Sequence, residues 1–533
     1  MTLAWWQAAA VYQVYVRSFQ DTSGDGIGDL NGVRQRLDYL SDLGVDVLWL
    51  SPVHPSPNVD FGYDVSDYTG VAPELGLMRD FDALIAAARS RGMRVLMDGV
   101  FNHTSDQHEW FRSSCADPNG DFGQYYIWRD GRGGTPGKPP NNYGSTFGGT
   151  AWRFVAERGQ WCLHSFAPEQ PDLNWRCPAV VEAVLDAMRN WLERGVSGFR
   201  LDVFNCYLKD PALRNNPRRL HPAGWVYPFI GQHHVHDRDH PDLLPVLQRM
   251  RNLVDEYDAV LIGETLDERF VYDNAAQWVG RDRLHAAFHF RWLHSRWRAP
   301  DFALALNAWI DALGPERWPT WVISNHDFVR AASRWGGRDD RLRLAAMMMC
   351  LLRGTPVVYQ GDELGMRQGR IPRSAIQDPP GKRFWPVYRG RDGARTPMRW
   401  SDERHAGFTE GRPWLPVDAA PATHSVERQR ADPTSTWAFW QGGLALRRTD
   451  ATASSGQQSP VTVVNGEVLR WDRWLGEDRI GVWINMSDRV QTVSLAAGRW
   501  ARVFGTHATP RIDGLQLALR PTEGLALRLM SRN

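Results

Sequence analysis

The 533-residue chain is nearly devoid of lysine: among 62 basic residues only Lys138, Lys209 and Lys382 are lysines. A Schiff-base mechanism, which requires a lysine amine, therefore has few candidates. The arginine excess reads as base-composition bias and not as an arginine-based binding code. Net charge is also missing, since 62 basic and 61 acidic residues leave +1. No field of one sign steers the chain toward nucleic acid or an anionic membrane. The five cysteines, Cys115, Cys162, Cys177, Cys206 and Cys350, are odd in number and lack CxxC spacing. This argues against a disulfide framework or zinc site and for a reducing, cytoplasmic setting. No apolar run reaches the ~18 residues of a membrane span. The opening Met1-Thr-Leu-Ala-Trp-Trp has no basic stretch before an apolar core, so a signal peptide is not expected.

What remains is an ordinary globular composition, 43% apolar and 23% charged, with 26 tryptophans. At roughly 100–200 residues per domain, two to four domains are expected. The first hundred residues alternate strand and helix patterns: Val11–Arg17, a helix over Asn31–Leu43, Val45–Leu50, a helix over Asp80–Arg91, then Arg94–Asp98. Such alternation predicts βαβ units and a parallel sheet. It breaks over His103–Gln170, a Gly-, Pro- and aromatic-rich stretch too long for a simple loop, which implies an inserted domain. Strands four to eight follow at Gly198–Asp202, Ala259–Glu264, Leu284–Phe290, Trp321–Ser324 and Pro356–Tyr359, with a closing helix over Ser435–Arg447. A second, His-rich insertion spans about 206–245 and reads as a solvated loop. Thr452–Gln457 reads as a linker into short strands with turn residues. The predicted fold class is α/β: a (β/α)₈ TIM-like barrel with an inserted domain after strand three and a C-terminal antiparallel β-domain. The expected units are 1–103 and 171–453 for the barrel, 104–170 for the insertion and 454–533 for the β-domain.

Catalytic groups of such barrels sit at the C-terminal strand ends. Those ends carry Asp98, Arg200 with Asp202, Glu264 and Asp327, with His103 and His326 beside them. Any one of these acids would more often be a helix cap or part of an architectural ion pair. Asp202, Glu264 and Asp327 together, each at a strand end, form a like-charge cluster that is costly without a function. Glycoside cleavage suits the set, because it needs one carboxylate at the anomeric carbon and one protonated acid at the leaving oxygen. Arg200 and Asp202 point to the same side of their strand, so the cation keeps Asp202 ionised. Glu264 follows an apolar strand, where burial raises its pKa.

These residues carry a resemblance. Asp98-Gly-Val-Phe-Asn-His103, Gly198-Phe-Arg-Leu-Asp-Val203, Gly263-Glu264 and Ser324-Asn-His-Asp327 resemble the four sequence regions of glycoside hydrolase family 13, the α-amylase family, in order and spacing. The likeness spans nearly the whole chain. It implies a retaining double displacement with Asp202 as nucleophile, Glu264 as acid/base and Asp327 holding sugar hydroxyls. His103 and His326 would bond ring hydroxyls, Arg200 would support Asp202, and Asp98 would brace the site from behind. Gln170-Pro-Asp-Leu-Asn174 resembles the oligo-1,6-glucosidase and α-glucosidase branch, in which a closed pocket takes the non-reducing glucose. Asp60, Tyr63 and Arg395 match positions that pin that end, and Phe147 and Phe166 are candidates for the pocket wall.

Val203 resembles the α-1,6-acting members, whereas the 206–245 insertion resembles enzymes acting on maltose-like substrates, so linkage stays open. Phe290 is a candidate for the acceptor side, where exclusion of water would favour transfer to a sugar, alcohol or phenol. Asp21, Ser23, Asp25, the carbonyl of Ile27 and Asp29 resemble the first part of a Ca²⁺ loop, and the expected role is a structural divalent cation. The leading expectation is an exo-acting α-glucosidase with transfer capacity. Alternatives are an oligo-1,6-glucosidase, a sucrose isomerase or trehalose synthase-type transferase on the same scaffold, and, in a different class, a non-catalytic binding barrel.

Overall fold

The computed structural model describes residues 3–134, 137–224, 226–266, 272–417 and 422–531. Thr135 and Pro136 of the Gly/Pro-rich stretch and Trp225 of the second insertion lie outside them.

Three short strands open the barrel: β1 (Val11–Val14), β2 (Val47–Leu50) and β3 (Arg94–Gly99). The segment after β3 carries its own antiparallel sheet of β4 (Trp128–Arg129), β5 (Trp152–Val155) and β6 (Gln160–Leu163). The parallel barrel then resumes with β7 (Gly198–Leu201), β8 (Val260–Gly263), β9 (Ala286–Ala287), β10 (Thr320–Val322) and β11 (Thr355–Tyr359). Pairing runs β10-β11-β1-β2-β3-β7-β8-β9. The parallel strands β1, β2, β7, β8 and β11 are buried along their whole length, as strands flanked by helices must be. Helices Met78–Ser90, Pro178–Glu193, Leu243–Asp255 and Ala299–Leu313 each bury an apolar face, and Asp339–Leu351 is buried all round from Leu344 onward. Beyond the barrel, strands between Gln457 and Ser531 form antiparallel sheets. No described helix is long and apolar enough to cross a membrane.

Several expectations need correction. The helix expected over Asn31–Leu43 is two helices, Leu30–Gln35 and Leu37–Leu43, because Arg36 leaves helical geometry at φ −98°, ψ 8°. Strand six shrinks from Leu284–Phe290 to β9. Between β8 and β9 the described residues hold a 3₁₀ helix, Tyr272–Trp278, where an α-helix was expected. Thr452–Gln457 is no linker: Asp450 caps a short helix, Ala451–Ser455, by accepting from Ala453 N at 3.0 Å, and Gln457 then joins a strand. Small polar residues look flexible in sequence, but a cap and a strand partner order them here. Much of the His-rich insertion is exposed, as a solvated loop would be, but His234 within it is buried between Asp237 (2.7 Å) and the carbonyl of Phe229 (2.8 Å).

No strand ladder joins β9 to β10 among the described residues. Side chains close that seam. The Thr320 hydroxyl donates to the carbonyl of Ala287 at 2.6 Å, and the Trp292 indole donates to the carbonyl of Val322. Thr320→Val keeps the shape and leaves a buried carbonyl unpaired. It is expected to cost about 1–3 kcal/mol, read as a lower midpoint in thermal or urea unfolding. An unchanged midpoint would show that the seam does not use this bond.

Candidate active site

The site is assembled from four strand ends. β3 delivers Asp98, β7 delivers Arg200 with Asp202 just beyond it, Glu264 directly follows β8, and His326 and Asp327 lie in the turn after β10. Glu264 is reached through Gly263, where a Cβ would stand 2.4 Å from Leu284 Cδ1 and 2.5 Å from Phe204 Cε1. Only glycine lets this strand end pack so closely. Val203 turns the chain away after Asp202 in the left-handed region, at φ 37°, ψ 40°. For a β-branched residue that is strained backbone.

Arg200 binds three acids at once. Its Nη1 donates to Asp98 Oδ1 at 2.5 Å and to Asp202 Oδ1 at 2.7 Å, and its Nη2 donates to Glu264. Burial raises the pKa of Glu264 well above the usual carboxylate range. Arg200 opposes that shift, and the charges of Asp202, Asp327 and Asp98 add to it. Burial likewise raises Asp98 against the pull of Arg200. Asp327 behaves oppositely. Burial disfavours its charge, yet His326, Arg391, Arg395 and Arg200 outweigh burial and hold its pKa below the usual range. Burial holds His326 neutral, with its pKa down to about 3, and lowers His103 as well. Two acids in one site are thus pushed apart in pKa, as acid/base chemistry requires.

A cavity of about 780 Å³ opens over these groups. Asp202, Glu264, Asp327, Asp60, Tyr63, His103, His326, Val203, Phe290, Phe147 and Phe166 all face it. Phe147 and Phe166 meet edge to face at 5.6 Å and pack on Val203, so they serve both as pocket wall and as local core. Arg200 and Arg395 do not line the cavity but stand behind its acids. Arg395 is fully buried and donates to Asp327 Oδ1 and to the His326 carbonyl, each at 3.0 Å. Arg383 and Arg391 face the cavity, and of these Arg391, which sequence reasoning missed, reaches the acids. It donates to Asp60 at 2.6 Å and Asp327 at 3.2 Å, and Asp378 holds it from behind at 2.7 Å. Its spacing from Arg395 in Gly390-Arg-Asp-Gly-Ala-Arg395 was the available signal. The second insertion adds Ala223, Val226, Tyr227 and Ile230 to the mouth. Residues 384–391 add Phe384, Val387 and Tyr388 opposite them.

The Asp21–Asp29 loop does not gather its acids. Asp21 accepts from Ser23 N, Gly24 N and Gly26 N, each at 2.8 Å, and from the Thr409 hydroxyl. Asp25 accepts from Ile27 N at 2.8 Å, and Asp29 caps the next helix through Gly32 N at 2.7 Å. Among the described residues no three His, Cys, Asp or Glu side chains could hold a metal ion. The loop is a set of hydrogen-bonded turns, and no catalytic step is routed through a cation.

The sequence matches the family model for the alpha amylase catalytic domain over residues 13–456. It is 40% identical over 507 residues to a probable alpha-glucosidase of Rhizobium meliloti (strain 1021), covering 93% of this chain and 92% of that one. It is 35% identical over 533 residues to an oligo-1,6-glucosidase of Parageobacillus thermoglucosidasius, covering 93% and 92%. Its fold superposes on the crystal structure of an alpha-glucosyl transfer enzyme, XgtA, with a TM-score of 0.93 at 38% identity, covering 99% of this chain and 100% of that one.

Asp21→Ala removes an acceptor that serves five donors, the Ser23 hydroxyl among them. It is expected to lower the melting temperature equally with and without a chelator. A loss confined to chelator-free buffer would reinstate the cation.

Proposed function

This chain belongs to glycoside hydrolase family 13, the α-amylase family, in its α-glucosidase branch, and on that premise we propose that it is a retaining, exo-acting α-glucosidase of short substrates such as maltose. Asp202 attacks the anomeric carbon and forms a covalent glucosyl ester. Glu264, protonated at first, gives its proton to the leaving oxygen and then, as a carboxylate, takes one from the incoming hydroxyl. Arg200 serves both halves of the cycle. It keeps Asp202 a carboxylate and lies against Glu264 when that group must lose its proton. Asp327, ionised by its arginines, accepts hydrogen bonds from ring hydroxyls, with His103 and His326 as partners.

The observation that carries the exo reading is the bridge from Arg391 to both Asp60 and Asp327. A guanidinium tied between two carboxylates blocks the glucose end of the cavity and leaves acceptors of hydrogen bonds for a terminal sugar. The opposite mouth is walled by Val203, Phe290 and the apolar residues of the second insertion. Water is poorly held there. This supports glucosyl transfer to a sugar, alcohol or phenol alongside hydrolysis. The five unpaired cysteines support a reducing, cytoplasmic setting as part of the same reading.

Proton NMR of p-nitrophenyl α-glucoside turnover, in which the glycone is the only sugar released, is expected to show α-glucose first, and initial β-glucose would refute retention. Asp202→Asn is expected to lose at least about 10³-fold in kcat with folding intact. Glu264→Gln is expected to lose as much on maltose; on p-nitrophenyl α-glucoside, whose leaving group needs no proton, kcat/KM should fall far less, while kcat still drops because the base of the second step is gone. For the native enzyme the raised Glu264 predicts activity that falls as pH rises through its pKa. An alkaline limb persisting unchanged in Glu264→Gln would remove Glu264 as the acid.

A further inference from the structure

β1 is a four-residue buried strand, Val11-Tyr12-Gln13-Val14, and Gln13 is an odd member of it. Its side chain is completely buried. Its Oε1 has no hydrogen-bond partner among the described residues, an arrangement that costs stability. What the amide does make is one good bond, from Nε2 to His326 Nδ1 at 2.8 Å, with a longer one to Ser51 Oγ at 3.4 Å. The donor and acceptor roles along the next links follow from their far end. Asp98 is in contact with the charged Arg200 and acts as an acceptor, so the Tyr63 hydroxyl donates to Asp98 Oδ2 at 2.9 Å. The Tyr63 oxygen must then accept from His326 Nε2 at 2.7 Å. His326 therefore carries its proton on Nε2 and presents a bare Nδ1, which can only accept. Gln13 is the group that supplies that donor.

We propose that Gln13 is a positioning residue that fixes His326 as the neutral Nε2–H tautomer and so holds the chain Gln13–His326–Tyr63–Asp98 in one donor direction, ending on the carboxylate that also accepts from Arg200. This rests on the glycosidase reading above, because His326 and Tyr63 face the cavity that the sugar would enter. A fixed Nε2–H keeps the Tyr63 hydroxyl at the cavity wall donating to Asp98 whatever the substrate does. A flipped tautomer would turn Tyr63 into the wrong partner. The ring has little other freedom. Tyr63 stacks on it at 5.3 Å and 3°, and Tyr15 at 5.7 Å and 21°. Asp327 Oδ2 lies 3.4 Å from Nε2 and favours a proton there. Arg395, bound to the His326 carbonyl, acts against a charged ring together with Arg200 and Arg391. Among the groups packed on the ring, Gln13 is the one that addresses Nδ1.

The test uses the full-length enzyme with p-nitrophenyl α-glucoside. Gln13→Leu removes the donor at similar volume. It is expected to lower kcat/KM by about tenfold or more while the protein stays folded, as loss of a tautomer-setting partner does elsewhere. Gln13→Glu puts an acceptor at Nδ1 and favours the charged imidazolium. His326 then ionises at higher pH, so activity should be lost on the acid side at a higher pH than in the wild type or Gln13→Leu. ¹⁵N spectra of histidine-labelled enzyme, with His326 assigned by its absence in His326→Gln, report the tautomer without turnover. The wild type should show a protonated Nε2 and a bare Nδ1, and Gln13→Leu a mixture. Wild-type kcat/KM in folded Gln13→Leu, an unshifted acid limb in Gln13→Glu, or a protonated Nδ1 in the wild type would each overturn the proposal. The wild-type spectrum decides even if a variant fails to fold. Absence of any α-glucosidase activity in the wild type would instead sink the reading of function and leave the tautomer measurement standing.

Discussion

Three carboxylates share one buried pocket because a single guanidinium stands among them. Arg200 touches Asp98, Asp202 and Glu264, and each of those acids alone would be expelled or protonated at that depth. The cation does not treat them alike. Glu264 is more heavily penalised by burial and by its anionic neighbours than it is helped by Arg200, so it keeps its proton. A second arginine pair, Arg391 and Arg395, does for Asp327 what Arg200 does for the others, but more completely. Asp202 and Glu264 share Arg200, so what sets Glu264 apart as the acid is its burial and its anionic neighbours and not a cation of its own. Much of the barrel serves to hold these cations still: Trp49 and Tyr63 lie beside Arg200, and Asp378 and Phe147 flank Arg391.

The acids were legible in sequence because strand ends are. A buried parallel strand is a short apolar run, and the residue after it must face the open end of the barrel. Asp202, Glu264 and Asp327 could be found that way before any relative was considered, and the family resemblance then separated their roles. Arg391 was not legible by the same route. It lies in an irregular excursion after β11 and meets Asp60 across 331 positions of sequence, and no local pattern encodes that meeting. Arg395 matched a motif and was assigned to the sugar, but it acts from behind Asp327.

Backbone conformation was the other blind spot. Val203 is β-branched, which predicts extended chain, yet it takes a left-handed turn one residue past Asp202. The surrounding packing of Phe147, Phe166 and Cys206 overrides its preference. The same holds for the segment after Thr449: Ala451–Ser455 looks like a flexible connector by composition, but the Asp450 cap makes it a helix. Local propensity fails where tertiary contacts decide, and one of those places is the position flanking the proposed nucleophile.

The open seam between β9 and β10 divides the acids. Asp202 and Glu264 belong to one side of it and Asp327 to the other, and across it the strands are joined by side chains, not by a ladder. Mechanically, the barrel is a split ring with its gap beside the reaction centre. A split ring yields at the gap first. Small changes of gauge there alter the spacing between the proposed attacking and protonating acids on one lip and the hydroxyl-holding acid on the other, while the helical rim keeps its shape. A barrel split in this way has a compliance that a fully laddered one would lack, located beside the proposed attacking and protonating acids.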